Sequence, residues 1–127
     1  EHIPDLELQI EKFHSLLNPN GYLIIAVPNF KSYDASYYQE FWAAYDVPRH
    51  LWHFSKEGMI RLLESHQFLF QKTLPLVFDS FYVSLLSEKY KTGKSNFLTA
   101  FRVGMKSNLK AKRTNEYSSL IYVFKKA

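Results

Sequence analysis

Apolar and polar positions alternate along this chain in short, distinct periods. Between Asp5 and Leu17 the apolar residues Leu6, Ile10, Phe13 and Leu17 recur at i, i+4, i+7 and i+11, the spacing of one helical face. Asp5 suits the N-cap of that helix, and Glu7 suits its first turn, where the backbone dipole favours negative charge. Asn18-Pro19-Asn20-Gly21 breaks the pattern into a turn. The next run, Tyr22 to Val27, is apolar without alternation and closes at Pro28, which predicts a strand buried on both faces of a parallel sheet. Residues 29–54 have no clean period and are rich in rings, with Tyr37 to Tyr45 reading as a short helix. A segment of that length inside one domain predicts a lid over a site.

Ser55 predicts the cap of a helix running to about His66, with Met59, Ile60, Leu62 and Leu63 inward. Phe68 to Leu74 predicts a second strand, ended by Pro75. Asp79 is the expected cap of a helix to about Tyr90, and Thr92-Gly93-Lys94 breaks it. Phe97, Phe101, Met105 and Leu109 then form the apolar, core-facing side of another helix whose opposite side is basic. Tyr117 to Lys125 predicts the last strand. The order begins with a helix and carries no strand before it, and Glu1-His2-Ile3-Pro4-Asp5 reads as the interior of a longer protein.

Composition narrows the picture modestly. The chain has 127 residues, enough for one domain, and 17% of them are aromatic. There is no cysteine, so disulfide scaffolds and thiolate metal sites are excluded. No apolar run approaches the roughly 20 residues of a membrane span, and no leader opens the chain, so a cytoplasmic protein with no membrane partner is expected. The formal charge is +4, but from Lys89 to Arg113 there are eight basic residues and no acid. Such a face can meet nucleic acid or another anion, or simply be solvated.

The segment Glu1-His2-Ile3-Pro4-Asp5, the helix after it, and Leu17-Asn18-Pro19-Asn20-Gly21-Tyr22-Leu23-Ile24-Ile25-Ala26-Val27-Pro28-Asn29 closely resemble class I S-adenosylmethionine-dependent methyltransferases, from the end of the fourth strand through the fifth. Pro48-Arg49-His50-Leu51-Trp52-His53-Phe54-Ser55-Lys56-Glu57 is similar to that family's segment before the helix leading to strand six. Ser118 to Phe124 is similar to its antiparallel seventh strand. The likeness covers residues 1–74 and 117–127. It departs in two places. The acidic residue and Gly-x-Gly turn of the cofactor site are missing, since Gly21, Gly58, Gly93 and Gly104 are the only glycines. Gln67 also stands where the family usually ends a helix with glycine.

The resemblance implies an α/β chain: the C-terminal half of a Rossmann-like class I methyltransferase fold, with a three-stranded mixed sheet in the order 5-7-6, flanking helices and a helical insertion. As one partial domain over 1–127, it divides into helix and strand five (1–30), lid (31–54), helix and strand six (55–76), helical insertion (77–116) and strand seven (117–127). The implied function is the substrate-side half of an enzyme that moves a methyl group from S-adenosylmethionine to a small-molecule or glycan-like acceptor. The fragment itself is expected to be inactive and to hold no cofactor.

By the same resemblance His2 is the candidate catalytic residue, and Glu1 with His2 the candidate cofactor contacts. Histidine is the natural base near neutral pH if the acceptor is a hydroxyl. The plainer reading of His2 is a helix-entry residue. Asn29, Arg49, His50 and His53 are the candidate acceptor-binding residues, for which lid packing is the plainer reading. His50-x-x-His53 has the spacing of two metal ligands, but without a third ligand no metal is expected. The alternative function is a basic helical module binding nucleic acid or a partner chain. Nucleic acid is disfavoured because Phe97, Phe101 and Met105 fall on the apolar side of their helix rather than the basic one. Finally, the strand at 22–27 has no charge or internal proline to protect an open edge, so a homodimer through that edge is expected.

Overall fold

A computed structural model describes all 127 residues. The first helix, α1, spans Leu6–Leu16 and is followed by strand β1, Tyr22–Pro28. Residues 31–54, the segment expected to be a lid, carry helix α2, Tyr33–Tyr38, and two 3-10 turns, Gln39–Phe41 and Ala43–Tyr45. Then come α3 (Lys56–Glu64), β2 (Phe68–Pro75), α4 (Asp79–Thr92), α5 (Phe97–Thr114) and β3 (Ser119–Lys126). Two of the expected caps are present: the Leu8 amide donates to Asp5 Oδ1 at 3.0 Å and the Gly58 amide to Ser55 Oγ at 3.1 Å. Asp79 is not a cap. It is the first residue of α4, where its charge still meets the positive helix end, and Phe78 precedes it without a side-chain bond.

The sheet has the order β1-β3-β2, with the last strand in the middle and antiparallel to both neighbours. It is therefore not a mixed sheet: both ladders are antiparallel, and the one parallel pairing is the isolated bridge between Asn29 and Phe54 outside the strands. A bulge at Gln71 shifts the β2 register between Phe70 and Lys72. Antiparallel strands bury one face readily. Leu23, Ile25 and Val27 join Leu120, Tyr122 and Phe124 in a core closed by Ile10 of α1 and by Met59 and Leu63 of α3. The other row is open, so β1 is not buried on both faces; Ile24 is 66% exposed. Gln67 takes φ 64°, the left-handed turn that a glycine usually supplies, and bears its steric cost.

A second core joins the lid to the insertion. Ala35, Tyr38, Trp42, Ala43 and Ala44 pack on Val83 of α4 and Val103 of α5. Here the expected helix face is reversed. The stripe of Phe97, Phe101, Met105 and Leu109 is exposed, with Phe97 at 70%, while Ala100, Val103, Gly104, Ser107 and Ala111 face inward. Small side chains let α5 approach α4 closely. A Cβ on Gly104 would fall 2.7 Å from Phe81 Cδ1 and 3.1 Å from its Cα. Close packing of backbone against backbone has won over burial of the larger rings. No helix is long and apolar enough to cross a membrane.

Candidate functional site

The lid is fastened from behind by one buried carboxylate. Asp34, fully enclosed, accepts from Trp42 Nε1 at 2.8 Å, Ser107 Oγ at 2.6 Å and Ser118 Oγ at 2.7 Å. It thereby ties α2 to the 3-10 segment, to α5 and to the start of β3. The Ala43 amide donates to Ser87 Oγ of α4 at 2.8 Å. Tyr38 lies beneath, its phenol pushed well above the ordinary tyrosine value by burial and then by Glu88. Three of the basic residues also serve the lid: Lys106 and Lys110 lie 5.0 and 4.2 Å from the Tyr33 ring, and Lys91 lies 5.1 Å from Tyr37. These three lysines are exposed, but their ammonium groups are engaged by rings of the same chain.

The front of the lid is zipped to the first three residues. Leu51 N donates to Glu1 O at 2.7 Å, and Trp52 Nε1 donates to Ile3 O at 2.7 Å. His2 Nδ1 lies 3.1 Å from Arg49 O, and His50 Nδ1 lies 2.8 Å from Ala44 O. A carbonyl only accepts, so both imidazoles carry their proton on Nδ1 when neutral. Their Nε2 atoms then face the Glu1 carboxylate at 4.0 and 3.8 Å, and the rings meet edge to face at 4.6 Å. Asp46 adds a carboxylate oxygen 3.7 Å from His50 Nε2. Its other oxygen accepts from Arg49 at 2.6 Å, and this pairing raises the guanidinium above its already high ordinary value.

Glu1, His2, Arg49 and His50 thus come together, whereas Arg49 and His50 were expected beside His53 and Asn29. His53 does not join them. Its Nε2 donates to Tyr45 O at 2.9 Å, its ring stands on the Tyr45 edge, and it faces a separate cleft. That cleft, about 590 Å³ and open, lies between α1, α3 and the lid and is walled by Phe30, Trp52, His53 and Phe54, with Asp5 and Glu7 on its acidic side. Asn29 is not at a rim. It is fully buried, and its amide is spent on Glu116 at 2.6 Å, Tyr117 O at 3.1 Å and the Lys31 amide at 3.1 Å. Both amide N–H groups are used inside the fold, and the enclosed side chain presents no surface to a substrate.

Sequence reading missed Asp34, Asp46 and Trp52. Only Asp46 carried a local sign, being four residues before His50, the interval that brings two side chains to one side of a turn. None of the four glycines makes a phosphate- or nucleoside-cradling turn after a strand. Gly21 sits in the turn between α1 and β1, Gly58 in the first turn of α3, Gly93 at the end of α4 and Gly104 against Phe81. The residues present therefore do not fit S-adenosylmethionine as a complete site.

A helix-strand order with a central antiparallel last strand, a lid after the first strand and a ring-walled cleft beneath it suits a group-transfer domain. The sequence model of a family described as "methyltransferase domain" matches residues 1–71, more than half of the chain, and the chain belongs to that family. The match covers Glu1, His2, the whole lid, α3 and the start of β2. Searches of curated proteins and of solved structures gave no match.

Proposed function

We propose that these residues form the acceptor side of a Rossmann-like, S-adenosylmethionine-dependent methyltransferase and that the acceptor is a small molecule or sugar bearing a hydroxyl. The observation that carries this reading is the cleft of about 590 Å³ inside the family-matched region, with ring walls and a histidine turned into it. Phe30 and Trp52 offer flat apolar surface to the acceptor body and keep water away from it. His53, its Nε2 proton held by Tyr45 O, keeps Nδ1 as the acceptor of a hydroxyl proton. The bound cofactor would supply an already activated methyl group, and none of the four glycines of this chain forms a turn to cradle it. His2 is accordingly read as part of the Glu1 and His50 cluster beside the cleft, with its Nδ1 engaged by the lid.

Two measurements test this. Calorimetric titration of S-adenosylmethionine into the 127-residue chain should give no binding, and micromolar affinity would overturn the division of labour. Phenol and methyl glucoside, as model acceptors, should shift the NMR signals of Trp52 and His53 and leave those of Phe97 unmoved. If neither probe perturbs Trp52 or His53, the cleft is not the acceptor site. A second reading, residues 77–116 as a partner-binding module, draws support from the exposed Phe97, Phe101 and Met105 stripe. Those rings are outward, so their placement does not count against nucleic acid. The engaged Lys91, Lys106 and Lys110 still weigh against it.

A further inference from the structure

The cluster at the lid junction has a chemistry that methyl transfer does not need. Glu1, His2 and His50 offer one carboxylate oxygen and two imidazole nitrogens, all within 4.8 Å of one another. Three features distinguish it from a chance meeting of polar side chains. First, each imidazole donates Nδ1–H to a backbone carbonyl, His2 to Arg49 O and His50 to Ala44 O. This is the outer-sphere bond that fixes the tautomer and leaves Nε2 as a lone pair for a metal. Second, the Nε2 atoms lie 4.0 and 3.8 Å from Glu1 Oε1 and 3.7 Å from Asp46 Oδ2. Those separations are too long for hydrogen bonds. They are a few tenths of an ångström wider than neighbouring ligands in a tetrahedral shell with bonds of about 2.0–2.1 Å. Third, the local charge is unbalanced. Glu1 and Asp46 are two carboxylates, and the one lysine or arginine side chain paired with them, Arg49, is bound to the far oxygen of Asp46.

The ligands come from segments already fixed to one another. Glu1 O accepts from Leu51 N, and Trp52 Nε1 donates to Ile3 O. Asp46 sits in the left-handed region at φ 41°, with its own carbonyl accepting from Arg49 N and His50 N at 2.8 and 3.0 Å. This turn holds carboxylate and imidazole on the same side. We propose that Glu1, His2 and His50 form a divalent transition-metal site, suited to Zn²⁺, with Asp46 Oδ2 or a water in the fourth position. Two imidazoles and a carboxylate favour zinc over magnesium or calcium, which take oxygen ligands in larger shells. The ion clamps the lid to the chain segment that precedes α1. The site stands apart from the proposed acceptor cleft, where His53 points, and does not depend on it.

The test is a binding measurement rather than an activity. Zn²⁺ is titrated calorimetrically, and Co²⁺ optically, into the chain with its α-amine acetylated so that only side chains can ligate. One ion per chain is expected, with the intense visible absorption of four-coordinate Co²⁺. Glu1→Gln and His50→Ala should each weaken binding at least about 10-fold, the least that loss of a supporting group costs such sites. Glu1→Gln keeps the side-chain volume, so it answers the question should His50→Ala fail to fold by circular dichroism. His66→Gln is the control, because His14, His66 and Glu11 line another polar pocket that could take an ion. Binding unchanged in Glu1→Gln and lost in His66→Gln would overturn the proposal, as would six-coordinate Co²⁺ spectra or no binding up to about 100 µM.

Discussion

Replacing Asp34 should unfasten the lid, and the cost can be worked from its bonds. Its carboxylate receives three donors at 2.6–2.8 Å with no exposure to water. Hydrogen bonds to a charged group contribute about 1.5–3 kcal/mol each. Against them stands the desolvation of the carboxylate, several kcal/mol, which Asp34→Ala gives back. The three donors then matter most. Ser107 and Ser118 can turn their hydroxyls elsewhere, but the Trp42 indole N–H is fixed in its ring plane and stays unpaired. Asp34→Ala is therefore expected to lose about 3–5 kcal/mol, the cost of breaking a buried charged network from one side. Asp34→Asn keeps the volume and one accepting oxygen but turns an NH₂ toward a donor, for a loss of about 2–3 kcal/mol.

Urea unfolding followed by far-ultraviolet circular dichroism and by tryptophan fluorescence measures both losses. A domain of ordinary stability has only about 5–15 kcal/mol to lose, so the Ala variant should show a much lower midpoint. Trp42, now 2% exposed, should become water-accessible before the sheet melts, separating the two signals. A loss below about 1 kcal/mol for Asp34→Ala would refute the claim that this carboxylate holds the lid.

The other expectations are more local. His66 donates from Nδ1 to Leu62 O at 2.8 Å and pairs through Nε2 with Glu7, so its pKa is raised, chiefly by the carbonyl, partly opposed by burial, and further by Glu7. A raised folded-state pKa stabilises fully below the ordinary value of 6.5 and is lost as pH rises through the folded value. The stability gap between wild type and His66→Gln should therefore shrink from pH 5.5 toward pH 8; a gap that grows would have the sign wrong. Strand β1 pairs with β3 on one side only, beside a groove lined by Ile3, Leu6, Ile10 and Ile24. Self-association through that edge is expected in sedimentation at about 100 µM, and a monomer there would remove it.

Elements were legible where period and cap agreed. Leu6, Ile10 and Phe13 with Asp5 predicted α1, and Ser55 with Met59 and Leu63 predicted α3, because both signals lie within one helical turn of each other. The direction of burial was less legible. Residues 97–109 contain two apolar arcs, one of rings and one of small side chains, and hydrophobicity ranks the rings first. What decides the face is the approach of α4, and Gly104 against Phe81 is a contact that no period encodes. The grouping of the candidate site residues was not legible. His50 and His53 are neighbours in sequence, yet His50 turns to Ala44 O and His53 to Tyr45 O. Asp34 gave no sign, since its partners Ser107 and Ser118 lie 73 and 84 residues away.

That short turn is also where the insertion and the site meet. Ala43, Ala44 and Tyr45 form one 3-10 turn, and each uses a backbone group on a different side chain. The Ala43 amide is held by Ser87 Oγ of α4, the Ala44 carbonyl takes the proton of His50 Nδ1, and the Tyr45 carbonyl takes that of His53 Nε2. Ser87 is itself oriented by donating to Val83 O at 2.7 Å. Helix α4 thus holds the turn whose carbonyls set the tautomers of His50 and His53. Ser87→Ala would leave the buried Ala43 amide unpaired, at about 1–3 kcal/mol. The turn can relieve that cost only by moving, and the two carbonyls move with it. In Ser87→Ala the imidazole ¹⁵N signals of His50 and His53 should both shift, while those of His66, held by Leu62 and Glu7, stay in place. If the variant loses stability but leaves both imidazole patterns intact, α4 supports the lid without setting its chemistry.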